Sequence, residues 1–299
     1  MRYATLSFFL LAASLATAQI KPSNVYLFDV RVLNDSVYEF VQPKFLTAFN
    51  ADGYNNHPAF FSPTELYLSC QKPTESQPEL YAFDLEKLTK TRVTNTPEGE
   101  YSPFRMPDYY NFSAVRMEIA RGDTVQRLWQ FPMDRLSNGK PIFKYINKIG
   151  YYQWLNSRQV ALFLVGQPNQ LTVAEVDYDR LTPICTNPGR CFRMLPDGNL
   201  AYVEKSDFGS SRLMKRKPMA TNTEPEFMIE TLPGSEDFAV LPDGSLLMGQ
   251  GSRLYKYNPR TDDDWKQVAD LRFYNIRQIT RIALSPGYRD FKIAIVGSE

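Results

Sequence analysis

The sequence predicts an all-β chain: a six-bladed β-propeller of four-stranded blades, with the ring closed by N- and C-terminal strands that share the last blade. Three observations point there. A turn phrase recurs at a period in the forties, short strand-like runs fill the intervals, and the two chain ends each supply half of one further copy.

The turn phrase reads Phe61-Ser62-Pro63, Arg105-Met106-Pro107-Asp108, Leu195-Pro196-Asp197-Gly198, Leu241-Pro242-Asp243-Gly244 and Leu284-Ser285-Pro286-Gly287, with a degenerate copy at Trp154-Leu155-Asn156-Ser157. From Pro63 the proline steps are 44 to Pro107, 89 to Pro196 across the degenerate copy, 46 to Pro242 and 44 to Pro286. Proline fixes φ at the first corner of such a turn, and Asp-Gly or Gly supplies the positive φ that follows. A period of roughly 40–50 residues with several strands per copy marks propeller blades.

The intervals are strand-like. Leu200-Ala201-Tyr202-Val203, Leu246-Leu247-Met248 and Lys292-Ile293-Ala294-Ile295-Val296 follow their turns directly. A third run comes next at Leu80–Phe83, Arg127–Phe131, Gln170–Val176 and Arg253–Tyr257. Long helical stripes are absent, so the periodicity favours strands throughout. Full copies are expected at roughly 50–101, 102–148, 149–189, 190–234 and 235–276. The longest irregular insert is Ser206–Glu226, with Lys215-Arg216-Lys217 read as part of a solvated hairpin. Asp262-Asp263-Asp264 reads as an exposed hairpin tip, because it lacks the alternation and glycine of a calcium loop.

The chain ends complete one another. Asn24–Val30 (Asn-Val-Tyr-Leu-Phe-Asp-Val) matches Glu79–Leu85 (Glu-Leu-Tyr-Ala-Phe-Asp-Leu), a third strand, and Phe40–Phe49 then supplies an outer strand. Ile279–Leu284 and Phe291–Val296 supply two inner strands. A shared sixth blade leaves no open sheet edge at the seam.

The composite pattern Leu-Thr…Pro-x-(Phe/Trp)-Ser-Pro-Asp-Gly…(Leu/Ile)-Tyr-x-x-Asp resembles the repeat of TolB-like propellers, also called WD40-like. Residues 46–94 match it best, through Leu46-Thr47, His57-Pro58-Ala59-Phe60-Phe61-Ser62-Pro63, Leu80-Tyr81-Ala82-Phe83-Asp84 and Thr91-Arg92-Val93-Thr94. Later copies match mainly at the turn. The resemblance spans nearly all of residues 19–299 and implies the fold. It implies little about activity, because family members do many things. TolB itself carries a separate α/β domain ahead of its propeller. Residues 19–299 leave no room for one, so TolB's role in an envelope complex is not carried over.

Residues 1–18 read as a cleaved secretory signal. Arg2 is the positive region, Leu6–Leu15 the apolar core, and Ala16-Thr17-Ala18 the cleavage signal before Gln19. Residues 19–299 are expected to form a single propeller domain, periplasmic or secreted. The apolar run is shorter than the ~20 residues of a membrane span, and no later segment is long enough. No cysteine follows the cleavage site, which disfavours a lipid anchor. The remaining net charge is zero, against a nucleic-acid partner, which needs a basic footprint. Asn34-Asp35-Ser36 and Asn111-Phe112-Ser113 fit the glycosylation pattern, which matters only in a eukaryotic secretory pathway.

Cys70, Cys185 and Cys191 remain in a compartment that permits disulfides. Cys185 and Cys191 flank the turn sequence Thr-Asn-Pro-Gly-Arg, so a local bridge is one reading and three free thiols the other. No second cysteine pair or histidine cluster suggests a metal.

Propellers place ligands at the channel mouth, and the loops entering the innermost strands are polar and aromatic here. They carry Tyr54-Asn55-Asn56-His57, Glu100-Tyr101-Ser102, Tyr151-Tyr152-Gln153, Gly189-Arg190, Glu236-Asp237 and Gln278–Arg281. The binding candidates are Tyr54, His57, Tyr101, Tyr152, Arg190, Asp237 and Arg281. His57 is the only histidine, and no Gly-x-Ser-x-Gly elbow accompanies it. The expected function is a monomeric, non-enzymatic scaffold that binds another envelope or extracellular protein or peptide, with no catalytic residue, metal or cofactor. Two alternatives stand beside it. A calcium-dependent lactonase would need Glu100, Glu236 and Asp237 to converge, although Arg190 and Arg281 would oppose the cation. A small-molecule or glycan sensor would need a closed aromatic cavity.

Overall fold

A computed structural model describes residues 21–34, 37–120, 122–206, 209–220 and 223–298. The signal sequence assigned to residues 1–18 lies outside them. Apart from two short 3-10 turns, the regular structure is β, arranged as six four-stranded antiparallel sheets.

The first blade runs outward from β3 (Tyr54–Ser62) through β4 (Glu65–Gln71) and β5 (Glu79–Asp84) to β6 (Thr89–Arg92). The second contains β7 (Gly99–Arg105), β8 (Asn111–Ala120), β9 (Asp123–Pro132) and the short β10 (Lys140–Pro141). The third contains β11 (Ile149–Asn156), β12 (Gln159–Leu164), β13 (Gln170–Glu175) and β14 (Arg180–Thr186). The fourth contains β15 (Pro188–Met194), β16 (Leu200–Lys205), β17 (Ser211–Arg216) and β18 (Glu226–Glu230). The fifth contains β19 (Phe238–Val240), β20 (Leu246–Gln250), β21 (Arg253–Tyr257) and β22 (Lys266–Asp270).

The sixth blade draws on both ends of the chain. Its order from the centre is β23 (Gln278–Leu284), β24 (Asp290–Ser298), β1 (Asn24–Asn34) and β2 (Val37–Phe45). The shared closing blade is therefore present. Its outer strand occupies Val37–Phe45 instead of Phe40–Phe49, because Leu46 and Thr47 turn the chain and Ala48–Asn50 form a 3-10 turn.

The expected irregular insert at Ser206–Glu226 is corrected too. β17 runs through it as the third strand of its blade, with Leu213 and Met214 buried and Lys215 paired to Glu226 at 3.0 Å.

The recurring phrases have local causes. Gly198 and Gly244 adopt φ of 77° and 89°, and each amide donates back to the carbonyl three residues earlier, Leu195 and Leu241, at 2.9 Å. Asp197 and Asp243 accept the amides of Asn199 and Ser245 at 2.9 Å. The threonine of the Leu-Thr phrase holds the start of a third strand: Thr47 Oγ1 accepts the Val25 amide at 3.0 Å, and Thr94 Oγ1 accepts that of Leu80 at 2.9 Å.

Six apolar clusters hold the described residues together, one between each pair of neighbouring blades. β1 and β24 contribute to two of them: Val25, Leu27, Ala294 and Val296 face the first blade, while Tyr26, Phe28, Ile293 and Ile295 face the fifth. Alternate residues of one strand thus glue opposite neighbours, as a period of two requires.

The seam has a measurable consequence. Ile295 is fully buried and lies opposite Tyr26 of β1. Ile295→Ala is expected to cost ~2–5 kcal/mol, read as a fall of several degrees in Tm. Amide hydrogen exchange should quicken in β1 as well as in β23 and β24. A change confined to the C-terminal strands would contradict a closure that couples the two chain ends.

Candidate functional site: the central channel

Every inner strand has a sheet partner on one side only, and its other edge faces the central channel. Five of the six are bulged near their start. Pairing with the next strand slips between Asn56 and Ala59, Tyr101 and Phe104, Ile149 and Tyr151, Pro188 and Phe192, and Ile279 and Arg281. A bulge leaves an extra residue unpaired and re-aims the side chains around it. His57 and Ser102 sit at these slips with φ of 54° and 53°, each followed by a proline that removes an amide donor. Gly189 occupies the matching place in β15, where a Cβ would lie 2.7 Å from Val203.

The bulges gather a compact cluster. The His57 ring lies edge-on to Tyr54 at 6.3 Å, Tyr101 at 6.0 Å and Tyr151 at 6.3 Å. The Arg281 guanidinium stands 5.2 Å from the Tyr151 ring centre and 3.6 Å from Asp237 Oδ2. Asp237 Oδ1 accepts the Ile282 amide at 2.9 Å. Arg190 donates to the Thr280 carbonyl at 2.8 Å, and its own amide donates to Glu236 at 3.2 Å.

Burial with two guanidiniums shapes the chemistry. Desolvation first, then the charges of Arg281 and Arg190, hold the His57 pKa well below its usual value. The imidazole is therefore neutral, and its buried Nδ1 has no hydrogen-bond partner among the described residues. Burial raises the Tyr54 hydroxyl, so it stays protonated. Burial also opposes the charge of Arg281, but Asp237 beside it more than compensates.

Beside this cluster runs a cavity of about 780 Å³. It follows the inner strands from His57, Tyr151, Arg190, Asp237 and Arg281 down to the turns at Pro63, Pro107 and Pro286. The six steps from His57 to Pro63 span about 20 Å at ~3.3 Å per residue. A small space of about 70 Å³ lies beside the entering loops of the fifth and sixth blades, bounded by Gly234, Glu236 and Gln278. Arg190, Asp237 and Arg281 line both spaces and so stand between them. The larger cavity thus extends toward the turn end of the channel.

Six of the seven sequence candidates meet around this cluster. Tyr54 and Tyr101 flank His57 without lining the larger cavity, while His57, Arg190, Asp237 and Arg281 line it. Tyr152 borders the same cavity but takes no part in the cluster around His57. Only 7% exposed, it packs between the second and third blades, and its hydroxyl reaches the Ser102 carbonyl at 2.8 Å and Ser113 Oγ at 3.0 Å. Its neighbour Tyr151 is the ring that meets His57 and Arg281.

Other channel residues were not singled out from sequence. Arg105 donates to the Phe61 carbonyl at 2.7 Å and lies 4.7 Å from the Tyr109 ring centre. Tyr109 takes the turn position that glycine holds in later blades, with φ of 62°. A bulky residue at positive φ is uncommon and marks local strain.

The three acids of the lactonase alternative do not converge. Glu100 is buried against Arg116 at 2.9 Å and Thr96 at 2.7 Å, between the first two blades, with its pKa raised by burial to about 7. Glu236 pairs with Lys205 at 2.6 Å, and Asp237 faces Arg281. The Cys185–Cys191 bridge is not formed. Cys185 lies on the outer strand of the third blade opposite Leu171, whereas Cys191 is buried on the inner strand of the fourth with Sγ 3.3 Å from the Phe238 carbonyl. Cys70 is free as well. No helix among the described residues is long and apolar enough to cross a membrane.

Fold and channel define a six-bladed β-propeller. No family model and no curated protein matches the sequence. Solved structures match closely in shape. The structure of a putative TolB from Agrobacterium tumefaciens superposes with a TM-score of 0.64 at 11% identity, over 93% of this chain and 99% of that one. A gluconolactonase from Xanthomonas campestris gives 0.56 at 10% identity, over 92% and 96%. An oligogalacturonate lyase from Vibrio parahaemolyticus gives 0.51 at 14% identity, over 92% and 98%. Identities this low speak for the shared propeller alone.

With a single histidine, the electrostatics of the channel can be read directly. In an unfolded chain an imidazole takes its proton near ~6.5. The folded His57 ring is expected to show no protonation between about pH 8 and about pH 6. The sign follows: the unfolded chain binds this proton first, so His57 costs stability as pH falls below its unfolded pKa. The raised Glu100 acts in the opposite sense over the range between its unfolded and folded pKa. Ring resonances therefore test His57 better than melting curves, and a midpoint at or above the unfolded value would refute the assignment.

Proposed function

We propose that the protein is an exported, non-enzymatic propeller scaffold that holds an extended segment of another envelope or extracellular protein in its central channel. The observation that carries this reading is the channel wall. Six inner strands present unpaired edges to a cavity about 20 Å long at ~3.3 Å per residue, and a row of backbone donors and acceptors suits an extended peptide. Phe60, Phe104 and Met194 add half-buried apolar surface along the same wall. The bulged, ring-locked strands hold these groups in place before binding, which lowers the ordering cost.

The leading enzymatic rival is a hydrolase or lyase, drawn from the gluconolactonase and oligogalacturonate lyase among the structural neighbours. The side chains favour the scaffold. His57 faces guanidiniums instead of a carboxylate that would orient it as a base. Export rests on the N-terminal signal reading.

Selection from a random peptide library displayed on phage tests the scaffold. Binders should be enriched on the protein and lose roughly tenfold or more in affinity, ~1.4 kcal/mol, on Gln153→Trp, which places a bulky ring in the cavity wall. The variant's Tm should stay close to that of the parent. Failure to enrich binders, or binders indifferent to the blocked channel, would reject the proposal.

A further inference from the structure

The charge inside the channel is far from that of the whole chain. The full sequence carries a formal net charge of +1. The larger cavity is lined by four arginines, Arg105, Arg190, Arg193 and Arg281, against one carboxylate, Asp237. His57 adds no positive charge, because it is held neutral.

The guanidiniums are sparsely engaged. The guanidiniums of Arg105, Arg190 and Arg193 donate only to neutral backbone carbonyls, those of Phe61, Thr280 and Phe192, and none of the three guanidiniums has a carboxylate partner among the described residues, although the Arg190 main-chain amide meets Glu236. Nε of Arg105 and of Arg190 is buried without a hydrogen-bond partner. Arg281 is only 12% exposed in its side chain and makes no hydrogen bond among the described residues beyond its 3.6 Å approach to Asp237. Half-buried guanidiniums that keep free donors and have no opposite charge beside them are suited to anions, whose charge-assisted hydrogen bonds are the strong ones.

The charges also sit at successive depths. Arg190 and Arg281 lie beside His57, and Arg193 is three residues further along β15, about 10 Å at ~3.3 Å per residue. Arg105 lies at the end of β7 beside Tyr109, which is 66% exposed near the turn end. A ligand that meets all of them is elongated and carries several anionic groups. The unpaired strand edges match the backbone of an extended peptide, and side chains on one face of such a peptide repeat about every 7 Å.

We infer that the channel selects an acidic peptide segment, whose carboxylates pair with Arg105, Arg193 and the Arg190–Arg281 end, and that Asp237 tunes this selectivity by setting the local charge. The inference rests on the scaffold reading and adds the chemical class of its ligand. Arginine forks bind carboxylates bidentately, and an enclosed wall of low dielectric strengthens each pair. The same field draws an acidic segment towards the turn end.

Fluorescence anisotropy with the mature chain provides the test. The probes are a labelled alternating Glu-Ala peptide of about eight residues, sized to the channel, and its Gln-Ala counterpart. The Glu peptide should bind at least tenfold tighter. Arg193→Gln, which gives up only a bond to a neighbouring carbonyl, should remove most of that difference with Tm unchanged. Asp237→Asn keeps an acceptor for the Ile282 amide and should tighten binding of the Glu peptide severalfold. Equal binding of the two peptides overturns the inference but leaves the scaffold standing if library binders still need the open channel. Sodium oligogalacturonate runs in parallel. Binding of this acidic glycan without binding of the Glu peptide overturns the peptide assignment.

Discussion

The pairing of β1 with β24 is the constraint on which the rest depends. Eight residue pairs, from Asn24 opposite Gly297 to Arg31 opposite Asp290, join the two ends of the chain. Each interface between blades is half a core, and a blade buries its faces only if both neighbours are in place. Without this seam the first and fifth blades would each expose one apolar face, and two sheet edges would open. A polar latch strengthens it beside the channel. Asn55 donates to the Ser23 and Asn50 carbonyls at 2.9 and 2.8 Å, and Thr47 Oγ1 donates to Asn24 at 3.1 Å while accepting the Val25 amide. These groups are buried or nearly so, and their mutual satisfaction is what makes them tolerable there.

A closed ring can carry local strain that an isolated hairpin could not. His57, Ser102 and Tyr109 hold positive φ without being glycine, and all three line the channel. Each such residue costs on the order of 1–3 kcal/mol and persists only where its surroundings over-determine it. The interblade cores supply that determination. In return, the bulges turn His57, Tyr151, Arg190 and Arg281 towards one another, which regular pairing of period two would have spread over alternating faces.

This explains how far the sequence could be read. The turns were legible because proline and glycine act through backbone geometry that does not depend on the tertiary fold. The closing blade was legible because Asn24–Val30 repeats the wording of Glu79–Leu85. β17 was hidden: its only buried apolar side chains are Leu213 and Met214, flanked by arginines and lysine that make a strand look like a charged loop. Which of the adjacent Tyr151 and Tyr152 meets His57 is not legible from sequence, because it depends on the slip in pairing between Ile149 and Tyr151. Arg105 and Arg193 were passed over for a related reason. They lie toward the far ends of β7 and β15, beyond the entering segments where binding residues are ordinarily sought.

The distribution of charge follows from the same architecture. Three acids outside the cavity lining are engaged by cations elsewhere. Glu79 pairs with Arg92 at 3.0 Å, Glu100 with Arg116 at 2.9 Å, and Glu236 with Lys205 at 2.6 Å. Arg116 is further held 4.1 Å from the Trp129 ring centre, so the buried Glu100 pair is backed by an aromatic wall between blades. Burying such pairs is seldom the most stable solution available. The consequence here is spatial: the Glu100 carboxylate is sequestered between blades, while guanidiniums remain on the channel wall. A chain almost neutral overall thereby acquires a strongly positive interior, and Asp237 is the one lining carboxylate left to moderate it.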